Sequence, residues 1–319
     1  MPIVKSNFKA HFRFRSGFFS TVYSGLIRRL KIKQSRERIT LRDDDFIDLD
    51  WSYSPSPSKS VIILFHGLEG HGQRPYITGA ALHFNEHNID AICVNFRCCS
   101  GELNKYYTSY HSGKTDDIED IIKHVISLDK YDSIFLKGIS LGGNILLKYL
   151  GDGSLVPLQV KAAMAVSVPC DLSGSAKALH APKNLPYHIN FKWALIKRLK
   201  LKQKKFPEAI TKAKIRSIKT LYDFDEVYTS RAHGFKNAQD YYAKCSSLQF
   251  LTTIKTPVLI LNALNDSFLS EACYPFKEAE MNPNVFLETP NRGGHVGFIR
   301  RKGYYYNETR ALEFFLECQ

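Results

Sequence analysis

The sequence predicts an α/β fold, a mostly parallel, doubly wound sheet with a helical insertion. Three observations carry that expectation. Short apolar runs alternate with segments of helical spacing, the pattern of a parallel sheet flanked by helices. Runs such as Val61, Ile62, Ile63, Leu64 and Phe65 are apolar without interruption, as in strands buried on both faces. Between Asp171 and Gln249 the alternation lapses, lysines accumulate, and Pro182, Pro186 and Pro207 break the pattern. A length of 319 residues suits one large domain with such an insertion, and 44% hydrophobic against 24% charged residues supplies a core.

Taken in order, residues 1–36 form a basic N-terminal segment expected to be helical. Phe18, Phe19, Val22, Tyr23, Leu26, Ile27 and Leu30 share one helical stripe; Ser20, Thr21, Ser24, Arg28 and Arg29 lie opposite. The stripe is expected to pack on the protein's own body. The alternative is a helix lying in a membrane interface with its cations toward headgroups. Strands follow at 38–41 and 46–51, joined by an acidic turn of Asp43, Asp44 and Asp45. A Pro- and Ser-rich loop leads to strand 61–65, helix 76–87 and strand 91–96. Thr115 is expected to cap a helix over 116–127, whose first-turn acids suit the helix dipole. Strand 133–137, helix 141–150 and strand 161–168 complete the first part of the core, 37–170. Residues 171–249 read as a helical lid. The core resumes over 250–319 with strands 257–262 and 285–289 and a closing helix 304–317.

Gly138-Ile139-Ser140-Leu141-Gly142 matches G-x-S-x-G between a buried strand and a helix, the setting of a nucleophile elbow. Side chains two residues either side of the serine would crowd so tight a turn. The helix N-terminus there favours developing negative charge. A serine hydroxyl needs a base, and the base needs a carboxylate; in an α/β-hydrolase fold the chain order is Ser, acid, His. His295 follows the last strand in a glycine-rich loop, Gly293-Gly294-His295-Val296-Gly297, and is the expected base. Asp266, just past the strand at 257–262, is the expected acid, with Glu271 and Glu288 less well placed. The oxyanion donors are expected to be the backbone N–H groups of Leu141 and of Leu68, in the loop His66-Gly67-Leu68-Glu69-Gly70, which His66 braces.

With these residues located, the sequence resembles the AB-hydrolase-4 family of the α/β-hydrolase superfamily, the group of YheT-like and ABHD1/2/3-like esterases. The resemblance runs from about Gly17 to the C-terminus. It rests on the blocks already quoted and on Phe96-Arg97-Cys98-Cys99-Ser100-Gly101-Glu102, Tyr110-His111-Ser112-Gly113 and Gly234-Phe235-Lys236-Asn237. It implies a triad of Ser140, Asp266 and His295 and esterase or acylglycerol lipase activity on short- to medium-chain acyl esters. The chain departs from the family where Cys98 replaces a usual glycine, Lys114 a usual acid and Ser267 a usual proline.

The expected function is therefore carboxylic-ester hydrolysis through an acyl-enzyme on Ser140. An acyltransferase or thioesterase on the same triad, or a catalytically silent basic scaffold, is the alternative. The substrate is expected to be a small-molecule or lipid ester, with neither metal nor cofactor. A formal net charge of +13 favours anionic surfaces. Lys197, Arg198, Lys200, Lys202, Lys204 and Lys205 read as a cationic lid face meeting an anionic membrane surface, or as a plain solvated face. No nucleic-acid recognition module accompanies them, so no nucleic-acid partner is expected. Seven scattered cysteines without a C-x-x-C pair point to a reducing compartment rather than to zinc or disulfides. No signal-peptide core and no spanning apolar run is read, so the expected location is cytoplasmic, peripheral to the inner face of a membrane.

Overall fold

Each of the expected apolar runs forms a strand. In the computed structural model, which describes residues 2–301 and 303–318, the strands are β1 (Ile3–Val4), β2 (Ser35–Thr40), β3 (Phe46–Ser52), β4 (Ser60–Phe65), β5 (Asp90–Asn95), β6 (Ser133–Ile139), β7 (Val160–Val166), β8 (Val258–Leu261) and β9 (Val285–Glu288). They form one sheet in the order β1-β9-β8-β7-β6-β4-β5-β3-β2. The β2–β3 and β3–β5 pairs are antiparallel, and every other pairing is parallel. The chain leaves β4 toward β5 on one side and returns to β6 on the other. That reversal opens a crevice beyond the carboxyl ends of β4 and β6, where open α/β sheets bind ligands.

The helices are α1 (Gly17–Val22), α2 (Pro75–Glu86), α3 (Thr115–Ser127), α4 (Leu141–Gly151), α5 (Leu172–His180), α6 (Leu185–Lys205), α7 (Lys212–Ser217), α8 (Leu221–Phe224), α9 (Ser230–Ala232), α10 (Ala238–Cys245), α11 (Phe276–Met281) and α12 (Tyr306–Glu317). Period-two alternation divides the sheet's side chains between two cores. Val61, Ile63 and Phe65 of β4 join Ile118 and Ile122 of α3 and Ile145 of α4. Ile62 and Leu64 face the other way, onto Ile77 and Phe84 of α2 and Phe315 of α12. The helices α5 to α10 lie between β7 and β8 in the chain. Leu195, Leu199, Ile215, Leu221 and Phe224 give this stretch a small core of its own, against which Leu68 packs.

Several expectations are corrected. The N-terminal segment is not wholly helical: Ile3 and Val4 extend the sheet as β1 beside β9, and residues 35–36 belong to β2. The helix is brief, with α1 continuing as a π-helical turn over Tyr23–Ile27. Its orientation is the reverse of a packed apolar stripe. Ser20 and Ser24 are buried, whereas Phe18, Phe19 and Ile27 are exposed; the Leu26 side chain lies outside the described residues. The reason is a set of partners for the polar side. Ser20 Oγ donates to Gly293 O at 2.8 Å, and Arg28 forms a buried pair with Glu308. Thr115 is not a cap. It is the first residue of α3, and its hydroxyl donates instead to Asp152 at 3.0 Å. Nor do all the lid cations face outward. Lys202 is buried, donating to Tyr106 O and Thr108 O, and Arg198 turns in toward Glu69 at 2.9 Å.

Two departures from the family pattern have a structural setting. Cys98 has φ +64°, the left-handed region that favours glycine. Ser267 ties the loop after β8 to the insertion, its hydroxyl donating to Asn184 Oδ1 at 2.6 Å.

Candidate active site

Ser140 sits between β6 and α4 with φ +54° and ψ −120°, a backbone conformation in which side chains are rare. The flanking glycines make that turn possible by close approach. A Cβ on Gly138 would lie 2.5 Å from Gly142 O, and one on Gly142 would lie 2.6 Å from the carbonyl oxygens of both His66 and Phe65. The turn is held by Ser140 N–H donating to Val166 O at 2.8 Å. The loop after β4 comes against the serine: a Cβ on Gly67 would stand 3.1 Å from Ser140 Cβ and 3.6 Å from its Oγ.

Leu68 and Leu141, the two expected amide donors, occupy this meeting point. Leu141 opens α4, where the first N–H groups have no acceptor within the helix. In the β4 loop, Gly70 N–H goes to Gly67 O and Glu69 N–H to Tyr110 Oη at 2.9 Å; among the described residues no acceptor takes the Leu68 N–H between them. His66 braces this loop. Its Nε2 accepts from Phe96 N–H, so its Nδ1 donates to Gly67 O at 2.7 Å, and complete burial holds the imidazole down at about 3. Glu69 is held in turn by Tyr110 Oη at 2.9 Å and by Arg198 of α6.

Asp266 and His295 are brought together from loops after β8 and β9. His295 Nδ1 lies 2.8 Å from Asp266 Oδ2, and both residues are almost fully buried. Phe268 stacks on the imidazole at 4.3 Å between ring centroids. The histidine loop is strained, with Val296 at φ +69° and Phe298 at φ +44°. Three consecutive amides hold it, each taken by a side chain from a different part of the chain. Gly294 N–H donates to Asn265 Oδ1, His295 N–H to Thr21 Oγ1 and Val296 N–H to Ser167 Oγ, each at 2.9 Å.

Thr21, Ser167 and Phe268 escaped the sequence reading. No motif marks them. The one available signal was the hydroxyl face of Ser20, Thr21 and Ser24, an odd use of small polar side chains in a basic aromatic segment. Thr21 holds the His295 backbone from a distant part of the chain. Thr21→Val is expected to lower kcat roughly tenfold with KM little changed, because a small displacement of a reacting group is costly. Thr21→Ser should restore turnover. Steady-state kinetics at the wild-type level in the valine variant would remove Thr21 from this role.

Two cavities meet at Ser140. The first encloses about 1040 Å³, mouth included, and its wall is largely apolar, with Leu172, Leu179, Leu195, Leu199 and Phe224. The second is lined by Ser140 and His295 together, with Gly67, Glu69, Arg74 and Asn190 giving it a more polar wall. Leu68, Phe191 and Phe268 border both.

Comparison with known proteins follows the same lines. The model of the family described as "Serine aminopeptidase, S33" matches residues 56–274. The Escherichia coli protein named "Putative esterase YheT" is 34% identical over 280 residues, spanning 85% of this chain and 81% of that protein. Mouse phospholipase ABHD3 is 30% identical over 84% of this chain and 67% of its own length. A monoacylglycerol lipase of Saccharomyces cerevisiae is 26% identical over 92% of this chain and 65% of its own. Among solved structures, the Pyrococcus furiosus esterase Pf2001 matches with a TM-score of 0.61 at 16% identity, covering 92% of this chain and 96% of that one. The last is a likeness of fold.

Proposed function

This chain belongs to the α/β-hydrolase superfamily, in the serine hydrolase family whose model spans its residues 56–274, and from that premise we propose that it cleaves short- to medium-chain acyl esters or acylglycerols through an acyl-enzyme on Ser140. It is an ester hydrolase of the esterase and lipase kind, as its relatives are. The finer reading rests on one observation above all: Ser140 and His295 line one cavity, and Asp266 holds the far side of the imidazole at 2.8 Å.

In this reading Ser140 Oγ attacks the ester carbonyl as His295 Nε2 takes its proton. Asp266 fixes the tautomer and stabilises the imidazolium. The amides of Leu68 and Leu141 receive the oxyanion. Collapse expels the alcohol, protonated by His295; water, activated by the same imidazole, then releases the acid and frees the serine. The apolar cavity takes the acyl chain, and the more polar one takes the departing alcohol. Residues 171–249 act as the lid over both.

A fluorophosphonate probe, followed by peptide mass spectrometry, is expected to modify Ser140 alone. A panel of p-nitrophenyl esters from acetate to palmitate should peak in kcat/KM between butyrate and octanoate. Absence of a Ser140 adduct would overturn the acyl-enzyme, and a peak at palmitate would overturn the chain length.

A further inference from the structure

Large apolar side chains stand exposed on two neighbouring elements. Along α6, Leu185, Ile189, Trp193 and Leu201 recur at four-residue steps on one ridge, with Lys197 in the remaining place. On α1, Phe18 and Phe19 are exposed, the latter by 63%. The two elements touch: the Phe18 and Tyr187 rings lie 5.5 Å apart, and Tyr187 Oη donates to Phe18 O at 3.2 Å. The cavity shared by Ser140 and His295 opens between them, with Val22 and Gly25 on one side and Asn190, Trp193 and Ala194 on the other. The apolar side chains therefore frame a mouth.

The two elements that frame it carry charge of one sign. No acidic residue precedes Glu37, and α6 contains none in its whole length, while it carries Lys192, Lys197, Lys200, Lys204 and Lys205. Lys197 Nζ sits 5.4 Å from the Trp193 ring centroid, an amphipathic pair with an apolar body and a cationic tip. Among the described residues no helix is long and apolar enough to cross a membrane.

We propose that the face formed by α1 and the outer ridge of α6 docks on an anionic phospholipid surface, with Phe18, Phe19, Ile189, Trp193 and Leu201 entering the headgroup–acyl boundary and the α6 lysines meeting lipid phosphates. Apolar side chains beside cations on one face are what such an interface binds. A second copy of this chain is a poor occupant, since a twofold contact through this ridge sets lysines against lysines. Nucleic acid offers no apolar phase for Ile189 and Leu201. Docking would place the cavity mouth against the lipid, so the surface bears on the ester-hydrolase reading, although the binding does not depend on it.

The test uses the full chain and vesicles of phosphatidylcholine with and without phosphatidylglycerol. Co-sedimentation is expected with the anionic vesicles and should weaken as salt rises. Trp193 reports directly in the wild type, because the other tryptophan, Trp51, is buried in β3. Its emission should shift to the blue on vesicle addition and be quenched by brominated lipid. The double variant Phe19→Ser, Ile189→Ser should bind anionic vesicles at least about tenfold more weakly, having lost two apolar anchors, while its turnover of a soluble p-nitrophenyl ester is unchanged. Equal vesicle binding by variant and wild type, an unshifted Trp193, or tighter binding to RNA than to vesicles would each overturn the proposal. Vesicle binding without ester turnover would instead overturn the reading of the activity and leave this surface standing.

Discussion

Ser140→Ala is expected to lose turnover of p-nitrophenyl esters by about six orders of magnitude in kcat, the scale seen when a serine nucleophile is removed. The fold should survive, since alanine keeps the Cβ and loses only Oγ. A companion variant sharpens the point. Ser140 holds φ +54° and ψ −120°, which glycine adopts without cost and other residues at a cost of about 1–3 kcal/mol. Ser140→Gly is therefore expected to be as inactive as Ser140→Ala but to unfold at no lower a temperature. Retained activity in either variant would move the nucleophile elsewhere. A sharp loss of melting temperature in the glycine variant would mean that the hydroxyl, not the strained turn, is what the structure needs there.

The largest loss of stability is expected from Arg97→Ala. Arg97 is 1% exposed on the loop after β5. Its guanidinium donates to Asp117 of α3 at 2.6 and 2.8 Å and to Asp43 at 2.7 Å, with Asp45 also nearby. Burial pushes the Asp117 carboxyl above its usual range, and Arg97, with Lys114 farther off, opposes that push. Removing one end of a buried pair strands the other and costs about 3–5 kcal/mol, whereas replacing both ends with apolar residues is milder. Urea unfolding should place Arg97→Ala well below wild type, with Arg97→Met, Asp117→Leu between them. A shift of less than about 1 kcal/mol for Arg97→Ala would mean that water reaches the cluster.

Much of the molecule was legible because burial leaves a linear trace. The run 61–65 is apolar at every position because β4 packs on both faces, and Gly138 and Gly142 are glycine because carbonyl oxygens stand where their Cβ atoms would go. What was not legible depended on direction and on distant partners. A two-residue strand such as Ile3–Val4 has no periodicity to read. Thr115 resembled a cap, but Asp152 claimed its hydroxyl. The sequence of α6 announces its cations without saying that Arg198 and Lys202 point inward. In the N-terminal helix hydrophobicity argues for Phe18 and Phe19 inside, whereas the backbone of the histidine loop takes Ser20 and Thr21 as its partners there.

That last arrangement has a consequence for how the protein fails. The His295 loop is suspended from three anchors: one near the N-terminus, one after β7 and one after β8. Its geometry is therefore only as durable as the weakest of them, and α1 is a short element on the surface, the kind that opens first while the sheet holds. Catalytic competence and folding need not be lost together. Under mild stress the population should pass through molecules whose sheet is intact but whose His295 loop is untethered, so that loss of ester turnover is expected to precede melting.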